Sequence, residues 1–244
     1  MAGAAVLVPV KAFSDAKVRL AGALPAGRRA ELARRMAAKV LAAAAPLPVA
    51  VVCDDEEVAA WACGHGAEVI KEPGLGLNRA VAAGVEHLAD RGIEQVVVAH
   101  ADLPLATDLT WLPRFPGVTL VPDRRDDGTN VLCVPTGAGF CFSYGPGSFD
   151  RHRAEAARVG LPVRLVRAPL LAWDVDLPAD LDFDGGGKET FPPPAPVFGP
   201  AASRRRSRPR QPAPGRTAAE GEPALPAGRS SVLDRPHGVT EANE

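Results

Sequence analysis

The chain has 244 residues, a formal net charge of −1 and 46% apolar side chains. It is long enough for one large domain or two small ones, and its balanced charge excludes a general electrostatic attraction to nucleic acid or to an anionic membrane. Cys53, Cys63, Cys133 and Cys141 form no CxxC pair and no apolar run nears the roughly 20 residues that cross a bilayer, so zinc, a disulfide framework and a membrane span are not expected.

The first predicted strand covers residues 4–10 (AAVLVPV), and its apolar start lacks the charged segment that precedes a signal peptide. A cytoplasmic chain with reduced thiols is expected. The strand runs straight into Lys11, followed by Lys17 and Arg19. Open α/β sheets bind ligands beyond the carboxyl ends of their strands. Three cations at such an end point to a polyphosphate, with an ordinary solvated loop as the alternative reading. A helix is predicted over 28–45, with Leu32, Met36 and Val40 on one face and Glu31 four residues from Arg35. Residues 48–53 form the second strand. Asp54, Asp55 and Glu56 then open a short helix, where acidic groups suit the positive end of the dipole.

A third short strand is expected over 67–71, followed by Gly74-Leu75-Gly76-Leu77-Asn78 and a helix over 78–90. The two glycines permit close backbone approach to a ligand. Asn78 either caps the helix or hydrogen-bonds a base or ribose. Residues 95–99 (QVVVA) read as a fully apolar central strand. Strands near 118–122, 130–135, 140–143 and 163–167 follow, with a helix over 148–158 between the last two. Strands alternating with helices predict an α/β domain: a three-layer α/β/α arrangement around a mostly parallel sheet. Near Gly185 the composition changes to Gly, Pro and Arg runs that cannot bury enough surface to offset their ordering entropy. Residues 1–184 are therefore expected to form one folded domain and 185–244 a disordered tail. The tail's cluster around Arg204–Arg206 reads either as a contact for RNA or an acidic partner, or as a solvated stretch.

Four segments carry possible chemistry. His100-Ala101-Asp102-Leu103-Pro104 follows the central strand, so Asp102 sits at the ligand edge. It reads as a Mg²⁺ ligand or as the cap of the next turn. Asp174 and Asp176 alternate to one side of an extended segment, and Asp180 reads as the cap of a final turn. Asp102 with Asp174 or Asp176 would make a two-sided metal site, if the fold brings them together. Gly74–Asn78 is the third segment. The fourth pairs the turn Asp126–Asn130, which offers the Thr129 hydroxyl, with Tyr144-Gly145-Pro146-Gly147-Ser148, which leads into a helix with Ser148 as its N-cap. Backbone N–H groups, a hydroxyl and a helix N-terminus suit a phosphorylated acceptor.

The ordered set VPVK…AKVRL, GLGLN, HADLP, PDRRDDGTNVL, FSYGPGSFDRH and DVDLPADL resembles the guanylyltransferases of coenzyme F420 biosynthesis, of the nucleotide-diphospho-sugar transferase-like fold. The resemblance spans residues 4–184. The chain lacks the Gly-rich loop after the first strand that related sugar and molybdopterin nucleotidyltransferases carry. The resemblance implies transfer of GMP from GTP to phosphoenolpyruvate or 2-phospho-L-lactate, with release of pyrophosphate. Other acceptors to weigh are 3-phosphoglycerate, a sugar phosphate or a molybdopterin, and a non-catalytic nucleotide-binding module is the remaining alternative. It further implies that Lys11, Lys17, Arg19 and Asn78 bind the nucleotide, with Lys17 and Asp102 catalytic. Asp102, Asp174 and Asp176 would hold Mg²⁺, and Thr129, Gly145 and Ser148 the acceptor. The product would pass to the next enzyme of that pathway.

Overall fold

A computed structural model describes residues 3–72 and 74–182. The tail expected from residue 185 lies outside the described residues. In chain order the elements are β1 (Ala4–Pro9), α1 (Ala26–Ala43), β2 (Val49–Cys53), α2 (Glu56–Gly64), β3 (Glu68–Lys71), α3 (Gly76–Asp90), β4 (Gln95–Ala99), β5 (Val118–Pro122), β6 (Thr129–Pro135), α4 (Ser148–Arg158), β7 (Val163–Leu165) and α5 (Pro169–Ala172).

The strands form one seven-stranded sheet in the order β3-β2-β1-β4-β6-β5-β7. The β3–β2, β2–β1, β1–β4 and β5–β7 pairs are parallel, while β4–β6 and β5–β6 are antiparallel. The predicted class therefore holds: the sheet is mostly parallel, with one strand, β6, reversed. Its reversal matters for the site. Residue Ala99 at the end of β4 pairs with Val131 near the start of β6, and the His100 N–H donates to the Asn130 carbonyl at 3.0 Å. The carboxyl end of a parallel strand and the amino end of its antiparallel neighbour thus share one edge.

Successive strand residues face opposite sides of the sheet and feed two cores. On one side Val6, Val8, Val51 and Val97 pack with Ala37, Val40 and Leu41 of α1 and Val58 of α2. On the other, Leu7, Val52, Val96 and Val98 pack with Val81, Val85 and Leu88 of α3 and Phe149 and Ala156 of α4. Gly84 lets α3 lie close to the sheet, since a Cβ there would meet the Leu7 side chain at 2.8 Å. Asp55 caps α2 by accepting from the Val58 N–H at 2.9 Å. Cys53 and Cys133 are buried, Cys63 and Cys141 exposed, and all four are free thiols. Among the described residues no helix is long and apolar enough to cross a membrane.

Two expected strands are corrected. Residues 140–143 do not pair in the sheet, and β7 stops at Leu165. Phe140 is buried as a strand residue would be, but the backbone behind it is satisfied by side chains of α4. The Cys141 N–H donates to Glu155 Oε1 at 2.7 Å and the Ser143 N–H to His152 Nε2 at 3.0 Å. With those groups taken, the segment has no need of a ladder.

Candidate active site

The loop leaving β1 folds through two short 3₁₀ turns, Phe13–Asp15 and Val18–Leu20, anchored by the buried side chains of Phe13 and Leu20. Lys17 lies between these anchors in a left-handed conformation, φ 55° and ψ 41°. A lysine is rarely held there, because its Cβ crowds the backbone. The strained turn aims the side chain inward. Lys17 Nζ lies 2.6 Å from Asp102 Oδ2 and 2.9 Å from Asp176 Oδ1. Arg19 approaches the other oxygen of Asp176 at 3.5 Å from a largely exposed position. Burial disfavours the Lys17 ammonium, yet the two carboxylates outweigh it and raise its pKa. Burial likewise pushes the Asp102 carboxyl up, but Lys17 outweighs it and the group is held below the usual carboxylate range. Asp174 is raised, first by burial and then by the nearby charge of Asp102. Asp174 therefore lies in the field of Asp102, which comes from a distant segment, and of Asp176 beside it. Asp102 keeps its second oxygen, Oδ1, buried and without a hydrogen-bond partner among the described residues.

The segment carrying Asp174 and Asp176 is fixed from below by an ion pair that the sequence reading missed. Asp180 is fully buried, and its Oδ2 accepts from the backbone N–H of Asp176 at 2.8 Å and of Leu177 at 2.7 Å. Its Oδ1 pairs with Arg124 and, at 3.2 Å, with Arg125. Arg124 also donates to the Asp174 carbonyl at 3.3 Å and covers the Trp173 ring at 4.2 Å. Asp180 caps its turn as expected, but its second oxygen ties that turn to the end of β5. Burial would raise the Asp180 pKa, and the Leu177 and Asp176 N–H groups together with Arg124 reverse this and lower it.

Lys11, Lys17, Arg19, His100, Asp102 and Asp176 border a cavity of about 530 Å³ whose apolar wall includes Phe13 and Met36. The other predicted residues form a second group. Asn78 sits inside the first turn of α3 rather than at its cap. Its Oδ1 accepts from the Tyr144 N–H at 2.6 Å and its amide donates to the Tyr144 carbonyl at 3.4 Å. Ser148 is the first residue of α4, not its N-cap. Gly147 holds that position at φ 70°, its N–H donating to Asp127 Oδ1 at 3.0 Å, while the Asp127 carbonyl accepts from Phe149 N–H. Asp127 has taken the capping role because the turn before β6 packs directly against the start of α4. Gly145 adopts φ 117°, a conformation reserved for glycine. Thr129 and Ser148 are each 1% exposed. Thr129 Oγ1 lies 3.0 Å from His152 Nδ1. The two groups meet through the His100 and Tyr144 rings, whose centroids are 5.0 Å apart, and through Asn130, whose amide reaches Asp174 Oδ1 at 3.4 Å. Among the described residues no three His, Cys, Asp or Glu side chains converge as a ready-made metal cage.

Arg124 and His152 both lie inside motifs noted in the sequence. His152 also sits three residues from Phe149 and four from Ala156, the spacing of a buried helix face, and this was the available signal.

Comparison with known proteins adds the family. A phosphoenolpyruvate guanylyltransferase from Sphaerobacter thermophilus is 37% identical over 186 residues, covering 72% of this chain and 89% of the relative. One from Conexibacter woesei is 40% identical over 190 residues, covering 72% and 84%. Among solved structures, a Desulfovibrio desulfuricans G20 protein assigned as a nucleotide-diphospho-sugar transferase superposes with a TM-score of 0.60 at 18% identity, over 78% of this chain and 90% of that one. A nucleotidyl transferase from Methanothermobacter gives 0.51 at 15% identity, over 73% and 94%. These two likenesses are of fold. Residues 4–188 match the family described as guanylyl transferase CofC like, and the chain belongs to that family.

Proposed function

We propose that the chain transfers GMP from GTP to phosphoenolpyruvate, releasing pyrophosphate, as a step of coenzyme F420 biosynthesis. The observation that carries this reading is Lys17, held between Asp102 and Asp176 at a cavity bordered by Lys11 and Arg19. The relatives' shared name supports the acceptor.

An oxygen of the acceptor phosphate attacks the α-phosphorus of GTP. The new P–O bond forms as the α–β bridge bond breaks, and the electron pair leaves with pyrophosphate. A phosphate is already deprotonated near neutral pH, so no side chain has to remove a proton. The work of the chain is to position the reactants and neutralise charge. Lys17 brings a buried ammonium to the α-phosphate, and Lys11 and Arg19 at the cavity border take the outer phosphates. Thr129, Gly145 and Ser148 orient the acceptor, and Asn78 seats the loop that carries two of them.

The donor set fits Mg²⁺, which takes one or two carboxylates and completes its shell with water and phosphate oxygens. Asp102 supplies a buried oxygen with no hydrogen-bond partner among the described residues, and Asp174 lies within its field. Asp102 with Asp174 or Asp176 would hold the ion, which when bound would neutralise phosphate charge. Pyrophosphate release decides the reading, measured with GTP, ATP, CTP and UTP against phosphoenolpyruvate, 2-phospho-L-lactate and 3-phosphoglycerate. GTP with phosphoenolpyruvate is expected to give the highest kcat/KM; a higher value for another pair overturns the assignment.

A further inference from the structure

We infer that His152 is a positioning residue of the acceptor site: it fixes the Thr129 hydroxyl as a hydrogen-bond donor toward the acceptor's anionic group and seats the loop that follows Ser143. This deepens the proposed function and rests on its placing of the acceptor at Thr129.

His152 is fully buried on α4, and both of its ring nitrogens are engaged. Nε2 lies 3.0 Å from the Ser143 backbone nitrogen. A backbone N–H can only donate, so Nε2 accepts and carries no proton. The neutral ring then bears its proton on Nδ1, which donates to Thr129 Oγ1 at 3.0 Å. With a lone pair occupied by that bond, the Thr129 hydroxyl has its own proton to offer. A serine or threonine hydroxyl normally rotates to suit its surroundings. Here the bond from Nδ1 turns the proton away from the imidazole before a ligand arrives, and a donor restricted in this way suits an anion.

The tautomer is stable across the neutral range. Burial, aided by the positive charge of Arg151, pushes His152 down to about 4. The ring is also held mechanically, edge-on to Tyr144 at 4.8 Å and beside Phe140 at 5.9 Å. Tyr144 is the residue whose backbone Asn78 grips, so the imidazole stands between the Thr129 hydroxyl and the loop that carries Gly145 and leads into Ser148. One ring thus sets the spacing of the two acceptor elements.

The test uses the full chain and steady-state kinetics with GTP and phosphoenolpyruvate varied in turn. His152→Gln keeps an acceptor for the Ser143 N–H but removes the donor to Thr129. It should raise the phosphoenolpyruvate KM about tenfold and leave the GTP KM within about twofold. His152→Asn places an amide near the lost Nδ1 and should recover much of that affinity. Added to Thr129→Val, His152→Gln should cost less than about twofold more, because it acts through the same hydroxyl. If Thr129→Val raises the acceptor KM and His152→Gln does not, or if His152→Gln raises both KM values alike, the positioning role is wrong while the acceptor site stands. If Thr129→Val leaves the acceptor KM unchanged, the acceptor site itself falls and the positioning role with it. Long-range ¹H–¹⁵N spectra of the unmodified chain give a reading that needs no variant. A neutral His152 protonated on Nδ1 is expected at pH 7, and protonation on Nε2 overturns the inference.

Discussion

The two halves of the sheet edge differ in the groups they offer. The parallel half, where β1 and β4 end, presents full charges, with Arg19 71% exposed and Lys17 clamped between two carboxylates. The half built around reversed β6 and the start of α4 presents neutral groups that are almost sealed, with Thr129 and Ser148 at 1% exposure and an uncharged His152 behind them. Charge suits a polyphosphate, whose many oxygens need neutralising from several directions. Oriented hydrogen bonds suit a small acid that must be told from its near relatives. The difference predicts that damage to the first half falls on turnover and damage to the second on acceptor affinity.

The largest effect is expected from Asp102→Asn. Removing one charge from the centre of the charged half should lower kcat about a thousandfold, with the fold intact by circular dichroism. Activity within about tenfold of normal would show that the two halves do not divide in this way. Asp180→Asn comes next and acts on the joint between them. It leaves Arg124 without its buried partner and weakens two backbone contacts, and should lower the unfolding free energy by about 3 kcal/mol. Urea titration reads this directly; an unchanged midpoint would mean that the Asp174–Asp176 segment is held by its apolar contacts, chiefly Val175. Ser148→Ala should be milder, raising the phosphoenolpyruvate KM about tenfold and sparing the GTP KM. A rise confined to GTP would hand the α4 terminus to the nucleotide. Smallest of all is removal of residues 189–244, beyond the family match, which is expected to change kcat/KM less than about twofold. A larger loss would give the basic run a share in catalysis.

Most of the architecture could be read from the chain, because buried parallel strands are continuous apolar runs and the helices between them keep one apolar face. Asp102 was visible for the same reason: it follows the central strand at once. What local pattern could not supply was the partner of each polar group. Residues 140–143 have an apolar content that fits a strand, yet the N–H groups of Cys141 and Ser143 go to Glu155 and His152. Ser148 has the composition of a cap, but Asp127, 21 residues earlier in sequence, bonds to the terminus at Gly147 instead. Arg124 carries no local mark of its role within PDRRDDGTNVL, and the structure makes it the partner of a buried carboxylate. Each of these depends on contacts between distant segments, which periodicity does not encode.

The grip of Asn78 on Tyr144 has a consequence for how such a protein can diverge. Both of its hydrogen bonds end on main-chain atoms, the N–H and the carbonyl, which every residue other than proline supplies. The anchor is therefore blind to the letter at position 144, proline excepted. The side chain at position 144 can be exchanged while this mooring stays, whereas Gly145 at φ 117° and Gly147 at φ 70° must remain glycine, so a lineage could vary the letter at 144 without first rebuilding the seat that holds the loop.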